Sequence, residues 1–221
     1  MNVILIAPPA TGKGTQAEML KKDYNLYHLS TGDVLRNIAT SNTKLGKEVK
    51  ELIDNGNLIS DERMLEILKE EITSLENNDG IIFDGFPRTI NQAEMLDELL
   101  FNMNQKVDYV IYLDVDKEEA MKRSTGRITC PSCNNIYNIY FDSFKEENKC
   151  NECGSPLQKR EDDTEEKFNY RFDTYIKNTK PVIDYYNAKG KLSVVQSIGS
   201  KYEVYNRVKS IIEKGNNLWL T

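Results

Sequence analysis

The sequence predicts a three-layer α/β fold, a parallel sheet covered by helices on both faces, with one small β-rich insertion. Short apolar runs alternate with amphipathic helical segments from residue 3 to about residue 127 and resume near residue 164. The runs at 3–6, 80–84 and 107–115 are apolar nearly throughout, as strands buried on both faces are. Residues 128–159 break the alternation and hold all four cysteines.

Taken in order, residues 3–6 form the first strand, residues 7–14 a tight loop, and Lys13 and Thr15 open a helix with Ala17, Met19 and Leu20 on its apolar side. A strand at 27–29 leads into Ser30-Thr31-Gly32-Asp33, a helix N-cap. Helices are expected over about 44–55 and from Ser60, then a strand at 80–84 and a helix over 90–101. A third core strand spans 107–115, and Asp116 with Glu119 reads as an acidic helix start. A long helix follows over 164–187, bent at Pro181. A fourth strand at 192–195 and a helix over 202–214 complete the chain, with a frayed tail from Gly215.

Composition narrows the function classes. The chain has 221 residues, 29% charged and 39% hydrophobic, which is the balance of a soluble globular protein. The net charge of −6 argues against a general nucleic-acid binder. No run is long enough for a transmembrane helix. The N-terminus enters a strand at once, leaving no room for a signal peptide, so a cytoplasmic location is expected. His28, the only histidine, reads as structural rather than catalytic.

Three constellations carry chemistry. The first is Gly12-Lys13-Gly14-Thr15 after a strand. Such a loop aims backbone N–H groups and a helix N-terminus at one point, and that point attracts phosphate. The general pattern is incomplete: Ala7 stands where its first glycine belongs, and Gly14 where Ser or Thr belongs. The plain alternative is a strand–helix turn with a surface lysine. The second is arginine: Arg36, Arg88, Arg123, Arg127, Arg160 and Arg171 sit near the ends of elements, and arginine forks grip phosphate oxygens in pairs. Asp33 and Asp84 follow short strands beside them, where either would hold magnesium directly or through water. The third is Cys130, Cys133, Cys150 and Cys153, two Cys-x-x-Cys pairs with residues 134–149 between them. This spacing points to a tetrahedral structural zinc, with iron the main rival for four thiolates. The insertion has too few apolar residues to fold unaided, so a metal would supply its core. A zinc-knuckle module gripping RNA is the competing function. Asp142, Glu146, Glu147 and Glu152 in the insertion weigh against it.

Gly12-Lys13-Gly14-Thr15, the run 30–36, Asp84-Gly85-Phe86-Pro87-Arg88-Thr89 and Gln92 together closely resemble the adenylate kinase family. Arg123, Gly126-Arg127, Arg160-Glu161-Asp162-Asp163 and Arg171 fit in the same order, so the likeness runs from Asn2 to about Lys214. It implies a P-loop NTPase-like three-layer fold with a zinc-stapled β-rich lid at 128–159. The core would comprise 1–127 and 160–221, with 30–59 as a mobile monophosphate-binding segment. The implied reaction is ATP plus AMP giving two ADP, reversibly, with magnesium, in a monomer without nucleic-acid or membrane partners.

By the same resemblance, the catalytic residues are Lys13, Arg88, Arg127, Arg160 and Arg171. ATP is expected at Ala10, Thr11, Gly12, Lys13, Gly14, Thr15, Arg123, Arg127, Ile136, Tyr137 and Lys201. AMP is expected at Thr31, Arg36, Asn57, Leu58, Ile59, Gly85, Phe86, Pro87, Arg88, Gln92, Arg160 and Arg171. Asp33 and Asp84 would order magnesium-bound water. The family carries glycine where this chain has Ala7 and Ala10, and a single proline where it has Pro8-Pro9. Glycine there permits positive φ and close approach of phosphate, so a weakened loop is expected, one that glycine at both positions would restore.

Overall fold

The computed structural model describes residues 1–55, 57, 59–75, 79–160 and 162–217, the side chains of 216 and 217 excepted. Leu58, placed at the AMP site by resemblance, and Glu161 lie outside the described residues. The central sheet is parallel, with β1 (Val3–Ile6), β2 (Tyr27–Ser30), β3 (Ile81–Asp84), β4 (Tyr109–Asp114) and β8 (Leu192–Gln196) in the order β2-β3-β1-β4-β8. A strand buried on both faces uses its period of two to feed two cores. In β1, Ile4 and Ile6 join Phe83, Phe86, Leu96 and Tyr186 on one face, while Val3 and Leu5 join Leu20, Ile82, Val208 and Ile212 on the other. The first face is covered by α4 (Asp61–Thr73), α5 (Ile90–Asn102) and α8 (Lys180–Ala188), the second by α1 (Lys13–Tyr24) and α9 (Lys201–Asn217). Each β1 residue is at most 2% exposed, worth on the order of 1.5–3 kcal/mol apiece as an upper estimate.

Hydroxyl caps start most of the other helices. Ser30 accepts from the Asp33 N–H to open α2 (Thr31–Ala39), and Thr43 from Gly46 to open α3 (Lys44–Asp54). Ser60, Thr89 and Thr164 do the same for α4, α5 and α7 (Glu165–Thr174). Such caps are each worth about 1 kcal/mol. The expected acidic cap of α6 (Lys117–Thr125) is different. Asp116 makes no side-chain cap bond and Glu119 turns to Arg123, so only the favourable placement of acid in the first turn remains.

Two expectations are corrected. The helix expected over 164–187 is not one continuous α-helix. It is interrupted upstream of Pro181 by a π-helical turn, Tyr175–Thr179, in which the Lys180 N–H reaches back to the Tyr175 carbonyl. Proline cannot donate to the preceding turn and crowds it, and the wider turn accommodates this before α8 begins. The last helix does not stop near Lys214: α9 continues to Asn217 and packs against Tyr109, whose hydroxyl donates to the Ile212 carbonyl (3.2 Å), and the rest of the expected tail, 218–221, lies outside the described residues.

The insertion forms its own antiparallel sheet, order β6-β5-β7, from β5 (Arg127–Thr129), β6 (Ile136–Asn138) and β7 (Gln158–Lys159). Residues 139–141, directly after β6, form a turn. Among the described residues of 128–159, only Cys130 and Cys150 are buried.

Candidate active site

Parallel register brings the chemistry to one edge of the main sheet. Ser30 and Leu5 both pair with Asp84, so the loops after β1, β2 and β3 leave the sheet side by side. This is the carboxyl edge, where open α/β sheets bind ligands. The loop after β1 enters α1 through Gly12 at φ 99°, and Ala10 also takes a left-handed φ of 62°. Ala7 takes no positive φ and packs in the core, 8% exposed. The missing glycine therefore matters at one position of the two. A residue with Cβ in that region costs about 1–2 kcal/mol.

Lys13 extends from the loop so that Nζ lies 3.2 Å from Asp84 Oδ1. His28 Nε2 lies 3.1 Å from the other Asp84 oxygen, and its Nδ1 is 2.7 Å from Glu18. Burial by itself raises the Asp84 pKa, but the adjacent Lys13 and His28 outweigh it and hold the carboxyl well below its usual range. His28 moves the opposite way: burial lowers it, while Asp84 and Glu18 raise it more. The histidine is thus a strut that fixes the carboxylate facing Lys13. The Asp33 carboxylate is also lowered, with burial opposing and Ser30 and Arg36 favouring the charged form; Arg36 Nη2 is 2.5 Å away.

A cavity of about 310 Å³ opens beside this edge. Five of the six predicted arginines line it: Arg36, Arg88, Arg127, Arg160 and Arg171. They crowd one another. Burial lowers Arg88, and the nearby Arg171 and Arg36 lower it further, against the pull of Asp84. Burial likewise lowers Arg160, helped by Arg127 and Arg36. Carboxylates pair with three of the five, Arg36, Arg127 and Arg171. Buried Asp163 receives Arg127 through two bonds (2.7 and 2.5 Å), and Asp162 receives Arg171 at 3.0 Å. Arg171 Nε is buried with no partner among the described residues. A tetrahedral oxyanion supplies what such a site lacks: several acceptors and negative charge at one point.

Lys13, Ala10, Thr31, Asn57, Ile59, Gly85, Phe86, Pro87 and Gln92 line the same cavity. Gly85 is required there: it has φ 87°, and a Cβ would meet Thr31 Oγ1 at 2.5 Å. The Gln92 amide is already engaged, accepting from the Arg88 N–H (2.7 Å) and donating to Asp61 (2.7 Å). It shapes the Arg88 turn directly. Sequence reasoning missed the apolar wall of Leu35, Ile53 and Met64, and Thr174 at the end of α7 with Tyr175 and Thr179 of the π turn. The helical apolar spacing of Leu35 and Met64 is a signal for this wall, although the same spacing reads equally well as core.

The remaining predicted residues lie outside the cavity. Thr11, Gly12, Gly14 and Thr15 continue the loop and the start of α1. Arg123 donates to Glu119, the Thr11 carbonyl and the Ser197 carbonyl. The Lys201 carbonyl accepts from Gln16 Nε2 (3.1 Å). Ile136 is half exposed on β6. Tyr137 turns its hydroxyl to Cys150 Sγ (3.3 Å) while accepting from the Asn151 N–H, so it supports the cysteines.

The four cysteine sulfurs lie within 4.8 Å of one another, with the closest pairs at 3.4–3.5 Å. Tetrahedral zinc with bonds of about 2.3 Å needs sulfurs about 3.8 Å apart, so the cluster fits. The two halves repeat one local design: Asn134 N–H donates to the Cys130 carbonyl and Gly154 N–H to the Cys150 carbonyl. Asn134 and Gly154 both take left-handed φ, 59° and 72°, folding each Cys-x-x-Cys back on itself. The Tyr137 hydroxyl on Cys150 Sγ favours the charged form of that thiol and lowers it. The four cysteines fit a structural zinc site. Four protein ligands close it to substrate.

Among the described residues, no helix is long and apolar enough to cross a membrane. A family model described as adenylate kinase matches residues 5–191. The adenylate kinase of Thermodesulfovibrio yellowstonii is 43% identical over 214 residues, covering 97% of this chain and 100% of that protein. That of Archaeoglobus fulgidus is 44% identical over 97% of this chain and 99% of its own, and that of Clostridium kluyveri is 40% identical over 96% and 98%. Phosphate-binding loop, arginine-lined cavity and near full-length likeness agree, and this chain belongs to the adenylate kinase family.

Proposed function

We propose that the chain transfers the terminal phosphoryl group of ATP to AMP, reversibly, giving two ADP. The observation that carries this is the set of five arginines around one cavity beside Lys13, crowded enough to lower Arg88 and Arg160. Phosphoryl transfer is mostly positioning and neutralisation of oxygen charge. Lys13 and the amides of residues 10–15 hold the ATP phosphates. Arg36 and Arg88 hold the AMP phosphate, and Arg127, Arg160 and Arg171 close on the group in transfer. Thr31, Gln92 and the backbone of Asn57 and Ile59 read AMP. Arg123, Ile136, Tyr137 and Lys201 border the adenosine of ATP. Magnesium, bound with ATP, offsets phosphate charge, and Asp33 and Asp84 order its water. The acceptor is an anionic phosphate, so no side chain need act as base.

Residues 30–59 and 128–159 move over AMP and ATP, and their closure excludes water, which would otherwise replace AMP as acceptor. The working form is a cytoplasmic monomer. A coupled assay for ADP tests the reading: ADP forms from ATP and AMP with magnesium, and not from ATP alone. ADP from ATP alone, or none in either tube, would refute it. GMP, CMP and UMP as acceptors test the adenine preference.

A further inference from the structure

The left-handed turn at Ala10 is held from a distant part of the chain. The next residue, Thr11, is 3% exposed, and its carbonyl accepts from Ser197 Oγ (3.0 Å) and Arg123 Nη1 (3.2 Å). Ser197 is 2% exposed and is fixed by its own N–H, which donates to the Asp114 carbonyl at the end of β4 (2.8 Å). Arg123 Nη2 donates to the Ser197 carbonyl (2.9 Å), which ties the two donors together. Inside the loop the Thr11 hydroxyl donates to the Pro8 carbonyl (2.8 Å). The peptide between two left-handed residues, Ala10 at 62° and Gly12 at 99°, is thus gripped from outside by two side chains.

We propose that Ser197 is a positioning residue of the phosphate-binding loop: its buried hydroxyl pins the Thr11 carbonyl and holds the turn that Ala10 would otherwise leave. Alanine disfavours the left-handed region because of its Cβ, whereas glycine does not. Without the clamp, an alanine-bearing loop spends most of its time in other conformations. Its apparent affinity for ATP then falls by the fraction that remains competent. A glycine-bearing loop needs the clamp far less. The AMP side, built from α2, β3 and the loop after it, is untouched. This inference rests on reading the loop as the ATP site.

The test is steady-state kinetics on the full chain in four forms: unaltered, S197A, A10G and S197A/A10G, with melting temperatures measured alongside. S197A is expected to raise KM for ATP about tenfold when introduced into the unaltered chain and less than threefold when introduced into A10G. KM for AMP and kcat stay within twofold of each S197A parent. Any effect of A10G alone cancels from this ratio. An unchanged KM for ATP in S197A overturns the proposal. So does a rise of equal size in both backgrounds, or a loss of kcat alone with a lower melting temperature, the mark of a merely structural residue. If S197A does not fold, S197C in both backgrounds gives the same comparison with a smaller expected ratio. Absence of ADP formation by the unaltered chain would instead refute the reading of the site.

Discussion

The arginine cavity and the four-cysteine insertion solve the same problem on different foundations. Each gathers groups that disfavour one another's company until a ligand arrives: guanidinium cations in one, thiolates in the other. The arginine cavity sits on a sheet whose β1 strand is at most 2% exposed, so apolar burial covers the cost of crowding the cations. The insertion buries only Cys130 and Cys150 among its described residues, so its metal must serve as its core. The two regions are nevertheless joined. Arg127 opens β5 and Arg160 directly follows β7, so the zinc-held sheet presents two of the five arginines. The fold of the insertion thereby sets where two cavity arginines stand.

The sharpest way to break the contrast is to remove one arginine. Arg88→Ala is expected to lower kcat/KM by about 10³. Its melting temperature should hold or rise, because a repelling cation has gone from a scaffold that folds without it. A large fall in melting temperature would show that the cavity depends on its arginines as the insertion depends on its cysteines.

The second test attacks the insertion. Cys150→Ser should take bound zinc from one per chain to near none by metal analysis. Residues 128–159 should become open to limited proteolysis while the main sheet stays protected, since structural zinc supplies on the order of 10 kcal/mol to a domain of this kind. Activity should fall at least tenfold through misplacement of Arg127 and Arg160. An intact, zinc-free insertion with full activity would end the comparison.

A smaller effect concerns pH. The Asp84 carboxyl is held below its ordinary value, so its contribution to stability is present above about pH 4 and disappears as pH falls further. His28 is raised, so its contribution is complete below about pH 6.5 and is lost as pH climbs through the folded value. Denaturant titrations across pH should therefore show an acid loss that Asp84→Asn flattens and a loss above neutrality that His28→Gln flattens. Cys150→Ser should leave both slopes in place.

The smallest expected change is Ala10→Gly. Relief of the left-handed alanine, about 1–2 kcal/mol, is offset by roughly 0.5–1 kcal/mol of added unfolded-chain freedom. A net gain below about 1.5 kcal/mol follows, seen as a modest rise in melting temperature. Ala7→Gly should give no gain, because Ala7 takes no positive φ.

Much of this was legible beforehand where the signal is local. Val3–Ile6 is apolar on both faces, the hydroxyl caps at Ser30 and Ser60 precede their helices, and the paired Cys-x-x-Cys spacing points to one ion. Other features depend on partners far along the chain. Nothing near Gln92 announces that Asp61, on α4, will accept from its amide. Nothing near His28 shows that it will brace Asp84. The helix expected over 164–187 is instead broken by a π turn just before Pro181, because the crowding that proline imposes can be relieved in the preceding turn.

The sequence by itself determined the alternation of elements, the phosphate-binding loop, the metal ligands and the family, because each is written in short-range spacing and residue chemistry. Only the tertiary structure decided that five arginines face one cavity and the sixth holds the Thr11 carbonyl, that Ala10 rather than Ala7 bears the left-handed strain, and that Tyr137 serves the cysteines. The physical reason is that charge repulsion, backbone strain and hydrogen bonding act over a few ångströms in space. Parallel register brings Ser30, Leu5 and Asp84 to one level from three separate stretches of chain.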